Sequence, residues 1–155
     1  VSVSSAPPEF KLPKGFAWRS SPEGGFRIAT PARWTVKEAG GVFTSAGRAG
    51  GPLLRVRPWS PAPADPVAAL IGMESKTTLD NYQRVTIRTA EDAPGPVWDY
   101  TYRSRAGTPF RAQEQVVTAG GRTYRITWLC PRAEWSDDLE AWNTVLESFG
   151  PLGGA

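Results

Sequence analysis

Apolar and polar residues alternate repeatedly between Phe26 and Leu129, the period of strands that bury one face. Residues 26–29 place Phe26 and Ile28 on one side, and residues 34–37 alternate Trp34 and Val36. The pair Gly40-Gly41 is a hairpin signal leading into residues 42–45. After the Gly-rich stretch 47–51, residues 53–58 set Leu54 and Val56 on one side and Arg55 and Arg57 on the other. These four segments predict an antiparallel meander.

The alternation is sharper further on. Residues 82–89 carry Val85 and Ile87, and residues 97–104 place Trp98, Tyr100 and Tyr102 opposite Asp99, Thr101 and Arg103. A turn over 105–109 returns the chain as a strand over 110–118. Gly120-Gly121 turns it again into 122–129, with Tyr124, Ile126 and Trp128 in phase. Alternating aromatics on neighbouring hairpin strands form favourable cross-strand pairs.

The period changes to helical in two places. Asp65 is a cap with Pro66 at the first helical position, and Val67, Leu70, Ile71 and Glu74 form a stripe. Ser136 is the expected cap of a closing helix, whose acidic first turn (Asp137, Asp138, Glu140) suits the helix dipole. Leu139, Trp142, Leu146 and Phe149, with Val145 beside them, give that helix a docking face, and Gly150 and Pro151 stop it. The fold class is therefore α+β, an antiparallel β-sheet flanked by helices. The Ser- and Pro-bearing residues 1–15 read as a linker, 16–150 as one domain, and the tail as loose from Gly150 onward, with 151–155 outside the domain. The start at Val1 reads as a cut from a longer chain.

Composition narrows the chemistry. The 155 residues include one cysteine, Cys130, and no histidine. An internal disulfide, the usual zinc, iron and copper ligand sets, and Ser-His-Asp or Cys-His catalysis are thereby excluded. No phosphate-binding Gly loop or dinucleotide fingerprint is present, so no cofactor is expected. Cys130 ends an apolar strand and reads as a small buried hydrophobe. The net charge is +3, but arginines and acids are interspersed, which argues against nucleic acid. No stretch of about 18 apolar residues exists, so no membrane insertion by this chain is expected.

Three features are candidates for function. Paired acids occur at Asp137-Asp138 and Glu91-Asp92, where dipole and solvation roles are the plain reading. Arg103, Arg105 and Arg111 crowd one hairpin tip, with Arg122 on the next strand, and guanidinium groups suit an anionic ligand. Among the seven tryptophans, Trp98, Trp128 and Trp142 are in phase with the core. Trp18, Trp59 and Trp135 lie at segment edges, where a partly exposed aromatic patch would form, and Trp59 joins the arginines as a ligand candidate.

The run Gly25-Phe26-Arg27-Ile28-Ala29-Thr30-Pro31-Ala32-Arg33-Trp34 resembles the G-F-x-I-x-x-P-x-x-W opening of PsbP-like domains. The helix start Asp65-Pro66-Val67-Ala68-Ala69-Leu70, the later Tyr82, and the strands Val97-Trp98-Asp99-Tyr100-Thr101-Tyr102 and Tyr124-Arg125-Ile126-Thr127-Trp128 continue the likeness. Trp135 and the helix to Phe149 complete it. The whole is similar to the C-terminal extracytoplasmic domain of actinobacterial receptor-type serine/threonine protein kinases, and related secreted lipoproteins share the fold. The resemblance implies an α/β/α sandwich outside the membrane, following a linker. It implies a non-catalytic sensor or ligand-recognition domain, its ligand an anionic cell-envelope component or a protein. The alternative it leaves open is a secreted or lipid-anchored accessory protein. An enzyme working through carboxylates alone is the third reading.

Overall fold

In the computed structural model, residues 10–89 and 95–152 are described. Strands β1 (Phe16–Ser21) and β2 (Phe26–Pro31) form a hairpin, followed by β3 (Thr35–Ala39), β4 (Val42–Ala46) and β5 (Leu53–Pro58). Helix α1 (Pro66–Glu74) precedes β6 (Asp80–Thr89), β7 (Pro96–Arg103), β8 (Pro109–Ala119) and β9 (Arg122–Pro131). A 3₁₀ turn (Arg132–Glu134), helix α2 (Trp135–Ser148) and the short β10 (Gly150–Pro151) close the chain.

The strands form two antiparallel sheets. Seven run in the order β3-β4-β5-β9-β8-β7-β6, and three in the order β1-β2-β10. The α+β class read from the sequence holds, with one helix on each face of the large sheet. The four-segment meander is corrected: residues 26–29 belong to the small sheet, and the meander is β3-β4-β5 alone. Strand β1 has no counterpart among the elements predicted from the sequence. The two Gly-Gly pairs do turn hairpins, with φ of 58° and 80° at Gly40 and Gly41 and 59° and 78° at Gly120 and Gly121. Both residues in the left-handed region is the conformation a tight hairpin needs and glycine adopts without strain.

The main core lies between one face of the large sheet and a cover made of α2 and the small sheet. Phe43, Leu54, Val56, Tyr124, Ile126, Trp128 and Cys130 supply the sheet side; Phe26, Ile28, Trp135, Trp142, Val145 and Phe149 supply the cover. Trp128 packs between Trp34 and Trp142, with ring centroids 5.2 and 5.7 Å away. The Trp142 indole N–H donates to Gln113 Oε1 at 2.7 Å. Ser148 joins helix to small sheet: its hydroxyl donates to Val145 O and accepts from Ala29 N, at 2.7 and 2.8 Å.

Three expectations about the closing helix and the tail are corrected. Helix α2 begins at Trp135, flanked by Glu134, so Ser136 lies inside it and caps nothing. Its buried stripe starts from Trp135, while Leu139 is exposed, because the preceding 3₁₀ turn sets the helix phase. Gly150 and Pro151 are not loose: they pair with Arg27 and Phe26, and Leu152 N donates to Gly25 O.

Helix α1 packs on the other face, at the β6-β7-β8 end. Leu70 is fully buried against Trp98 and Val116, with Trp59, Met73, Tyr82, Ile87 and Tyr100 around them. Trp98 therefore serves this smaller core and not the main one. Ile71, expected in the stripe, is exposed; the helix is apolar on nearly all sides, so its packed face was not readable from spacing. Asp65 does cap α1, accepting from Ala68 N at 3.1 Å. At the helix end Glu74 accepts from the Tyr82 hydroxyl at 2.6 Å and from Arg84 Nε at 2.7 Å, with a second bond from Arg84 Nη2.

This packing makes two outcomes testable. A β-carbon at Gly95 would run into the Val116 carbonyl oxygen of the neighbouring strand. Gly95→Ala is expected to destabilise by about 1–3 kcal/mol, the usual cost of overpacking, read as a lower denaturant midpoint at unchanged slope. The Arg84 guanidinium, aided by the Tyr82 hydroxyl and only partly opposed by burial, holds the Glu74 carboxyl at about 2, below its ordinary 4.5. A depressed carboxyl contributes stability that is complete above its unfolded value and is lost as pH falls toward its folded value. Stability conferred by Glu74 should therefore decline between pH 4.5 and about 2, and urea unfolding of Glu74→Gln across that window should show a shallower decline.

Candidate functional site

The candidate site is the part of the large sheet that α1 leaves uncovered. Register builds it row by row. Thr35, Ala46, Leu53, Leu129 and Ala112 are successive cross-strand partners from β3 to β8, and Tyr100 follows on β7. The adjacent row, two residues along each strand, is Lys37, Thr44, Arg55, Thr127 and Glu114. Phe110 and Tyr102 flank the apolar row on its other side, toward the β7-β8 hairpin. Above these rows lies an open groove of about 580 Å³, lined by Lys37, Thr44, Leu53, Phe110, Leu129 and the Gly47–Gly51 loop among others.

Its floor is apolar and its charges are basic. Among the described residues, no Asp or Glu lines the groove. The ion pairs among the described residues use Arg48, Arg84, Arg111 and Arg125; Lys37, Arg55 and Arg57 are in none. Partial burial, then the neighbouring Arg125 and Arg55 charges, push the Arg57 guanidinium below its ordinary value, opposed by Glu114. Arg48 lies on the loop at the rim and pairs with Glu134 at 2.7 Å. Burial raises Tyr100 and Tyr102, so these phenols stay neutral. Arg55 and Arg57 were legible as outward-facing residues of β5, but nothing local marked their face as uncovered.

The arginine cluster expected at the β7-β8 hairpin is only partly assembled. Arg103 and Arg105 are exposed there, at the end of the sheet that carries Phe110. Arg111 is engaged internally: its guanidinium forks onto Asp99 at 3.0 and 2.8 Å and stacks 4.5 Å from the Trp135 ring. Asp99 is buried, so this pair is part of the core boundary. Arg122 opens β9, beside the Gly120-Gly121 turn, where it donates to Glu23 O and Gly24 O at 3.3 and 2.9 Å. It fastens the β1-β2 turn together with the Tyr124 hydroxyl, which donates to Gly24 O at 2.5 Å.

The edge tryptophans divide. Trp135 is buried, contrary to expectation, because α2 starts with it. Trp59 is half-buried over the smaller core, with the Arg125 guanidinium 5.5 Å from its ring. Trp18 is 38% exposed under Arg27, at 4.4 Å. Of the paired acids, Glu91-Asp92 fall outside the described residues. Asp137 is exposed, while Asp138 is half-buried beside Cys130, and burial raises its carboxyl. Cys130 is fully buried, and burial and then Asp138 push its thiol to about 12, far from a reactive thiolate. Among the described residues no group of three or more His, Cys, Asp or Glu could hold a metal, and no helix is long and apolar enough to cross a membrane.

Comparison with known structures supports the architecture. The chain is similar to the cyanobacterial PsbP protein (CyanoP) of Synechocystis, with 15% identity and TM-score 0.58, covering 96% of this chain and 98% of that one. It is similar to the Ran-binding protein Mog1p of Saccharomyces cerevisiae, with 7% identity and TM-score 0.61, covering 88% and 95%. A Bacteroides thetaiotaomicron protein matches at 11% identity and TM-score 0.61 over 88% of this chain; the chain spans about half of it, 48%. At these identities the likeness is one of fold, and it bears out the PsbP-like reading. No curated protein sequence matches. Residues 18–151 match the family described as the serine/threonine kinase C-terminal domain. With nearly the whole folded region matched, the chain belongs to the serine/threonine kinase C-terminal domain family.

Proposed function

We propose that this chain is a non-catalytic, extracytoplasmic recognition domain of a membrane receptor serine/threonine kinase, and that the uncovered sheet face is where it meets its ligand. The groove carries the reading. A concave, largely apolar surface with a few convergent polar groups is the usual form of a ligand site, and here it occupies the part of the α1 face of the large sheet that α1 leaves open. The chemistry that would favour an enzyme is missing from the sequence: histidine does not occur, and the single thiol is buried. Membership of the serine/threonine kinase C-terminal domain family supports a place beside a kinase, where a binding domain could act as the receptor's recognition part.

The location is tested on the full-length protein in intact cells. A cysteine placed at the exposed turn by Thr108→Cys should react with a membrane-impermeant maleimide before lysis. The native Cys130 is the internal control, since its burial and raised thiol should leave it unlabelled until the domain is denatured. Labelling of Thr108→Cys only after lysis would place the domain inside the membrane and overturn the reading.

A further inference from the structure

We infer that Lys37 and Thr44, which line the groove, and Arg55, beside it in the same row, form a phosphate cradle taking a small phosphorylated molecule whose apolar or planar body lies on Leu53, Leu129 and Phe110. The inference deepens the proposed recognition role and rests on the same open face.

Register makes the cradle. Lys37 pairs with Thr44, and Thr44 pairs with Arg55, so the three lie in one row on adjacent strands and on one face. Neighbouring strands are about 4.8 Å apart, which sets the Lys37 and Arg55 backbones about 10 Å apart with the Thr44 hydroxyl between them. Long side chains reaching inward from both ends can meet over Thr44. A phosphate there would receive an ammonium, a hydroxyl and a forked guanidinium, all donors. Two cations also suit a dianion better than a monoanionic carboxylate, which one guanidinium can satisfy alone.

The surroundings favour the same occupant. Neither Lys37 nor Arg55 has an ion-pair partner among the described residues, whereas the nearby Arg125 is fully used by Glu114, at 2.9 and 3.1 Å. Arg57, one row further, is half-buried and equally unpaired among the described residues, adding to the positive potential. On the other side of the row the floor is Ala46, Leu53 and Leu129, leading to Phe110. A bare phosphate would leave that floor unused. The volume, about 580 Å³, lies within the range of small-molecule sites.

Phenyl phosphate is the probe, with inorganic phosphate and benzoate as its two halves. Titrated into the 155-residue chain and followed by amide shifts, phenyl phosphate should bind saturably and shift residues of β3, β4, β5 and β9. It should bind at least about tenfold more tightly than either half, the scale of one charge-assisted contact or one buried apolar group. The double variant Lys37→Ala/Arg55→Ala should weaken it by at least about tenfold, and Arg103→Ala/Arg105→Ala should leave it unchanged. Lys37→Gln changes one exposed side chain; it should weaken binding several-fold, and it keeps the test decisive should the double variant fail to fold. Absence of saturable binding, shifts confined to the Arg103–Arg105 turn, or affinity untouched by Lys37→Gln would overturn the cradle. Benzoate binding as tightly as phenyl phosphate would overturn the phosphate class. The maleimide experiment is independent of all these outcomes, so the site and the location fail separately.

Discussion

Seven strands about 4.8 Å apart make a sheet about 29 Å wide, whereas an α-helix with its side chains is only about 10–12 Å across. One helix therefore cannot cover either face of the large sheet. On one face the chain solves this with two pieces, the fourteen-residue α2 and the small sheet. They are joined by the Ser148 hydroxyl and anchored by Trp142, whose ring meets Trp128 while its N–H is satisfied by Gln113. On the other face, among the described residues, α1 is the single helix, nine residues long and seated over β6, β7 and β8. The exposed groove is what this unequal division leaves.

That division also decides which cations are free. The two most enclosed acids of the sheet, Asp99 and Glu114, each take a forked arginine from a neighbouring strand, Arg111 and Arg125. Removing one partner of such a pair would strand a buried charge, which is more costly than the pair is stabilising. These arginines are therefore committed to the fold, and Arg122 is committed to the β1-β2 turn. Among the described residues, Lys37, Arg55 and Arg57 on β3 and β5, and Arg103 and Arg105 at the hairpin tip, are in no ion pair, as are Lys11, Lys14, Arg27, Arg33, Lys76, Arg88 and Arg132 elsewhere. On β3 and β5 the unpaired cations share one face of the sheet, an arrangement made by register and not by sequence clustering.

This explains what could and could not be read from residues. The alternating aromatics of β7 and β9 and the two Gly-Gly turns report local backbone and burial, so those hairpins were legible. Residues 26–29 alternate just as clearly, but alternation reveals a buried face without saying which sheet it belongs to. β1 carries Phe16 and Trp18 in phase, yet Trp18 remains exposed, so the strand has little periodic signature. The engagement of Arg111 by Asp99 spans 12 positions, and that of Arg122 by Gly24 spans 98. Such partners are set by strand order, which no local pattern encodes. The row Lys37-Thr44-Arg55 is of the same kind: each residue is ordinary in its own strand and acquires meaning only from the register of three.

The groove is also coupled to the smaller core. A run of rings, Trp98, Tyr100, Tyr102 and Phe110, crosses from beneath α1 to the groove, with centroids 4.7, 5.9 and 5.7 Å apart. Rings packed at this spacing hold one another in place, so the groove wall inherits the rigidity of a core anchored by Leu70. Burial keeps the two tyrosines of the run neutral well above physiological pH, which leaves the sign of the groove to Lys37 and the rim Arg48, with Arg55 and Arg57 beside it. A ligand seated there would meet a preformed surface of fixed charge and would have little of its binding energy absorbed in ordering the site.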